Sequence, residues 1–123
     1  MKLLIVDDSL VMQDAIEKYL SDYDLQVVGA AGNGKKALEM FDQHDPDVVT
    51  MDITMPEMDG VTCLEQMIQR KPETKIMIIT ALADKGTGLK ALKKGARGYL
   101  HKPITPEKLK EAFDKLLKRT TDE

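Results

Sequence analysis

Five polar residues stand directly behind short apolar runs, and their types fit one chemistry. Asp7 and Asp8 follow the run at 3–6, Asp52 follows 48–51, Thr80 ends the run at 76–79, and Lys102 lies just past Tyr99 and Leu100. Three carboxylates brought to one edge repel and raise one another's pKa unless a cation sits between them. An all-oxygen donor set without clustered His or Cys suits Mg²⁺ or Mn²⁺ rather than Zn²⁺. Mg²⁺ held by few protein ligands keeps waters and takes phosphate oxygens. A phosphate would also engage Lys102 as a point charge and Thr80 as a hydroxyl donor. A carboxylate can attack phosphorus to give an acyl phosphate, aided mainly by positioning and by nearby cations. Asp52 is the single acid opposite a pair, so the attack is assigned to Asp52 and the metal to Asp7 and Asp8. Taken singly, each of these residues reads as a cap or turn residue, and Asp7-Asp8-Ser9 could simply cap a helix. Their conjunction argues for a site.

The elements that would position them follow from apolar patterning. Branched apolar runs at 3–6, 25–28, 48–51 and 76–79, and a weaker one around Tyr99 and Leu100, predict five strands. Segments with helical periodicity at 9–20, 35–41, 62–68, 88–92 and 106–117 lie between and after them. Ser9 is a candidate N-cap, and Thr105-Pro106 a cap and first-turn pair. Strict alternation of strand and helix requires parallel strands joined by right-handed crossovers, with helices on both faces of one sheet. Strands that are apolar throughout agree with burial on both sides. In such a doubly wound α/β sheet ligands collect beyond the carboxyl ends of the strands, where all five polar residues fall. The fourth helix is the weak one, because Gly86 and Gly88 sit at its start.

Composition excludes several classes. The 123 residues suffice for one ordinary domain, expected to span 1–123 with a frayed tail at 118–123. A net charge of -3 argues against a uniformly basic nucleic-acid binder. Residues 1–60 carry 13 acids against 4 bases, and residues 61–123 carry 8 against 14. Cys63, the only cysteine, allows no internal disulfide and reads as a small buried hydrophobe. The first residues form neither a signal peptide nor a membrane span, so a cytoplasmic location is expected.

The motifs Ile5-Val6-Asp7-Asp8-Ser9, Met51-Asp52-Ile53-Thr54-Met55-Pro56-Glu57-Met58-Asp59-Gly60, Thr80-Ala81 and Lys102-Pro103 occur in that order over nearly the whole chain. Together they resemble the receiver domain of two-component response regulators. The resemblance implies a flavodoxin-like sheet of order 2-1-3-4-5. It implies that Asp52 takes a phosphoryl group from the phosphohistidine of a sensor histidine kinase. It further implies that Asp8, Asp52 and the backbone carbonyl of Thr54 ligate Mg²⁺, with Asp7 assisting through water. Thr80 and Tyr99 would form a switch pair relaying the change to a surface of helix four, strand five and helix five. Lys102-Pro103 would carry a cis peptide bond.

The implied protein is a signalling partner rather than an enzyme, although it would promote its own phosphorylation and slow dephosphorylation. It would act on a downstream protein as a monomer or a phosphorylation-dependent dimer, without nucleic acid or membrane. A receiver fragment of a DNA-binding regulator and a phosphorelay shuttle are the alternative roles. Thr54 replaces an asparagine of the best-known chemotaxis regulators, and Leu82 an acid, so their rate of acyl-phosphate hydrolysis does not carry over.

Two other chemistries fit less well. A haloacid-dehalogenase-type hydrolase needs an Asp-x-Asp nucleophile after strand one, which Asp7-Asp8-Ser9-Leu10 lacks, and a flavin binder needs a phosphate loop there. His44, placed in a loop, and His101 read as surface or locally bonded histidines. Lys90, Lys93, Lys94 and Arg97 form a basic face that reads as solvated or as attractive to an acidic partner.

Overall fold

The fold was analysed in a computed structural model that describes residues 1–53, 60–81 and 85–118. Strands β1 (Lys2–Val6), β2 (Gln26–Ala31), β3 (Val48–Asp52), β4 (Lys75–Thr80) and β5 (Gly98–His101) alternate with helices α1 (Leu10–Tyr19), α2 (Gly34–His44), α3 (Gly60–Arg70), α4 (Lys85–Lys93) and α5 (Pro106–Lys118). All strand pairs are parallel, in the order β2-β1-β3-β4-β5.

Side chains alternate across the sheet and feed two apolar layers. Leu4, Val6, Val49, Met51, Ile76 and Ile78 pack with Leu38, Phe41, Leu64, Met67 and Ala91, which places α2, α3 and α4 on one face. Leu3, Ile5, Val48, Met77 and Ile79 pack with Ile16, Leu20, Leu109, Phe113 and Leu116, which places α1 and α5 on the other. Cys63 is fully buried, as expected of a small hydrophobe. Among the described residues no helix is long and apolar enough to cross a membrane.

Helices α1 and α5 start at the expected caps, and α2 at one the sequence reading did not name. Ser9 Oγ accepts from Met12 N at 3.2 Å, Asn33 caps α2 through Lys36 N at 2.8 Å, and Thr105 Oγ1 accepts from Lys108 N at 3.1 Å. Several boundaries differ from the sequence expectation. The second strand runs to Ala31 rather than 28, because Gly29, Ala30 and Ala31, poor in strand propensity, pair with Leu4, Ile5 and Val6. Helix α2 extends to His44, which therefore closes a helix instead of lying in a loop; Asp45 ends it in the left-handed region at φ 51. Helix α4 begins at Lys85, three residues ahead of expectation. Lys118, assigned to the frayed tail, belongs to α5, and the rest of that tail lies outside the described residues.

Candidate functional site at the carboxyl edge of the sheet

The chain end of β1 is fixed from several sides. Asp7 N donates to Ala31 O at 2.9 Å, while its carbonyl accepts from Gln13 Nε2 at 2.7 Å. Its Oδ1 accepts from Ser9 N at 2.9 Å, so the residue that caps α1 also orients the carboxylate. Asp52 closes β3, with Ile79 as its register partner on β4. Just beyond, Gly60 N donates to Ile53 O at 2.8 Å. A Cβ on Gly60 would lie 2.6 Å from Ile53 Cα, so only glycine lets α3 start this close behind the site. Lys102 N donates to Thr80 O at 2.7 Å, tying β5 to β4, and the Lys102-Pro103 bond is cis as expected.

These anchors bring the acids together. Ligand atoms of Asp7, Asp8 and Asp52 lie within 4.8 Å of one another, with Asp7 and Asp52 buried and Asp8 exposed. Lys102 Nζ reaches the group at 3.5 Å from Asp52 Oδ2 and 3.9 Å from Asp7 Oδ2. Burial pushes the Asp7 carboxyl above its ordinary range; the Ser9 N–H opposes this, the charge of Asp52 adds to it, Lys102 opposes it and Asp8 adds to it. Asp7 Oδ2 is buried with no hydrogen-bond partner among the described residues. Three acids facing one lysine, one buried oxygen lacking a donor, and donors that are all oxygen fit a hard divalent cation.

Thr80 is buried at the end of β4, and its hydroxyl donates to Ala81 O at 3.3 Å. Tyr99, on β5, has its hydroxyl 2.6 Å from His101 Nε2, with the two rings edge to face at 4.7 Å. His101 thus has a local partner, as one reading of the sequence had it. Thr54 and Leu82 lie outside the described residues. The basic face is partly engaged: Lys94 pairs with Glu65 at 3.5 Å and Arg97 donates to Pro72 O at 3.4 Å, while Lys90 and Lys93 are exposed.

Sequence reasoning missed Leu10 and Val11, which are 75% and 80% exposed in the first turn of α1, directly after Asp7-Asp8-Ser9 in the chain. The helical segment at 9–20 included them without distinguishing which face they take. The signal was there, since Met12, Ile16 and Leu20 recur at helical spacing as the core-facing row and Leu10 and Val11 lie off it.

Comparison with known proteins bears on the family and the fold. The family described as response regulator receiver domain matches residues 3–114. Over 118 residues the chain is 41% identical to a Chemotaxis protein CheY of Listeria monocytogenes, covering 96% of this chain and 99% of that one. It is 38% identical to the protein of the same name from Bacillus subtilis, covering 94% and 97%. The solved REC domain of AraT, a response regulator from Geobacillus stearothermophilus, superposes with a TM-score of 0.91 at 28% identity, covering 98% and 95%.

Proposed function

This chain belongs to the response regulator receiver domain family, and from that premise we propose that Asp52 accepts a phosphoryl group from a phosphohistidine of a sensor kinase. The observation that carries the reading is a buried Asp52 carboxylate beside Asp7 and Asp8 with the Lys102 ammonium 3.5 Å away. An Asp52 oxygen attacks phosphorus, the O–P bond forms as the N–P bond to the donor histidine breaks, and the released imidazole takes its proton from solvent. Lys102 neutralises charge on the transferring group, and the Thr80 hydroxyl turns to bond a phosphoryl oxygen. Asp8, Asp52 and the Thr54 carbonyl would hold Mg²⁺ or Mn²⁺, with Asp7 acting through water. When bound, that cation supplies charge neutralisation among the carboxylates and the phosphoryl oxygens.

Leu10 and Val11 support a protein donor, since an exposed apolar pair in the helical turn that follows Asp7-Asp8-Ser9 suits a docking helix better than a small phosphate ester. Output runs through Thr80 and Tyr99 to α4, β5 and α5, where a downstream protein binds. The likeness to chemotaxis proteins over nearly their full length favours output by protein contact over DNA binding or phosphate shuttling.

Labelling tests the reading. Acetyl phosphate with Mg²⁺ should give a hydroxylamine-labile phosphoryl adduct on wild type and at least tenfold less, by roughly the usual size of such losses, on Asp52→Asn. Undiminished labelling of Asp52→Asn would show that another residue is the acceptor.

A further inference from the structure

Tyr99 lies on α4 at Gly88, a place where that helix has no side chain. A Cβ built on Gly88 would fall 1.8 Å from Tyr99 Cε2, 2.6 Å from Cζ and 2.7 Å from the hydroxyl oxygen. No L-residue with a side chain fits at 88 while the ring is there. Gly86, two residues earlier, would meet nothing within 4 Å, so the two glycines have different jobs. Glycine weakens a helix, and at 88 that cost is matched by a seat for an aromatic ring. The other end of the ring is held as well. Its hydroxyl is 2.6 Å from His101 Nε2, and the imidazole stands edge-on to it at 80° between planes. His101 is in turn the register partner of Thr80 across the β4–β5 ladder.

We propose that Gly88 and His101 form a seat and latch for Tyr99, holding the switch tyrosine against α4 and making His101 the link between Thr80 and that ring. The proposal rests on the switching role given to Thr80 and Tyr99 above. In the conformation described, the Thr80 hydroxyl donates to Ala81 O at 3.3 Å, so the latched ring belongs to the state before Thr80 turns to a phosphoryl oxygen. Breaking the latch therefore shifts the population toward the engaged state. Along β5, Tyr99 and His101 face the α4 side together, while Gly98 faces Met77 and Leu116. A displacement of the strand end at Thr80 thus reaches the ring through one neighbouring residue.

The test uses the full chain with ring-labelled tyrosine, Tyr99 signals being assigned by Tyr99→Phe and those of Tyr19 and Tyr23 serving as a control for folding. Without any phosphoryl analogue, Gly88→Ala should move the Tyr99 signals and leave the other two in place. His101→Phe, which keeps an aromatic edge but removes the hydrogen bond, should do the same, and His101→Gln, which keeps an acceptor, should restore the wild-type signals. Beryllofluoride with Mg²⁺ should bind about fivefold more tightly to His101→Phe, the effect of losing one net hydrogen bond from the resting state. Unchanged Tyr99 signals in both Gly88→Ala and His101→Phe would overturn the latch. If Gly88→Ala disturbs all three tyrosines, the His101 pair decides alone. Failure of the broader switch reads differently: beryllofluoride would then leave the wild-type Tyr99 signals where they were.

Discussion

Asp7, just past the end of β1, and Thr50, inside β3, each leave one side-chain oxygen buried without a hydrogen bond. Such an oxygen has lost water and gained nothing in return. For Thr50 the cost has no functional return visible in the described residues: it is buried in the middle of β3, opposite Ile5 and Met77. Thr50→Val keeps the shape and removes the hydroxyl, so it should stabilise the protein by about 1 kcal/mol, read as a higher urea midpoint with unchanged slope. A lower midpoint would mean that the hydroxyl is satisfied after all, by water for instance. For Asp7 the cost is tied to the site. Its folded pKa is raised, so the fold favours the protonated acid; the stability from that preference is complete below the unfolded pKa and lost as pH rises through the folded one. Asp7→Asn should therefore melt a few degrees higher than wild type in EDTA near neutrality, with the gain shrinking in mild acid, while affinity for Mg²⁺ falls. Equal melting of the two proteins at neutral pH would remove the electrostatic account of this cluster.

At the scale of elements, what could be read in the sequence was what chain-local patterning controls. Four strand ends and their polar followers, the alternation of strand and helix, and the caps at Ser9 and Thr105 are all local signals, and the structure contains them. What long-range pairing controls was hidden. The Gly29-Ala30-Ala31 end of β2 has no strand propensity and is extended because β1 offers it a ladder. Gly88 read as a weak point in a helix, because a glycine's sequence signature is the same whether it loosens a turn or makes room for a ring from another element. Two helical glycines, Gly86 of α4 and Gly60 of α3, separate experimentally. Gly86→Ala adds a methyl to open space in a helix and should stabilise by about 0.5–1 kcal/mol. Gly60→Ala, at the start of α3, should cost about 1–3 kcal/mol because its Cβ meets the backbone of Ile53, which cannot swing aside. Chemical denaturation of the two variants measures both; the same sign for both would show that propensity, and not space, decides at these positions.

Across the whole molecule, α1 and α5 cover one face of the sheet, and their link is separate from the site. Tyr23, after α1, sets its ring edge-on to Phe113 of α5 at 4.9 Å. Its hydroxyl lies against the Asp114 carboxylate and the Lys110 carbonyl, and Lys110 reaches Asp22 at 2.8 Å. Burial, then the hydrogen bond to Asp114 and the charges of Asp114 and Asp22, push the Tyr23 phenol up to about 12. A phenol with a raised folded pKa gives stability that is whole below its unfolded pKa of about 10 and disappears as pH climbs through the folded value. Wild type should thus lose stability between about pH 10 and pH 12 in a way that Tyr23→Phe does not. Near neutrality the variant should be weaker by about 1 kcal/mol, the net value of one hydrogen bond. Urea midpoints of the two proteins should converge as the alkaline limit is approached, since by then the wild-type phenol has either ionised or broken its bond. Every other tyrosine is common to both proteins and drops out of the difference. Midpoints that fall in parallel over that range would show that Tyr23 does not hold α1 to α5 through its proton, leaving the edge contact with Phe113 as the link between the two helices.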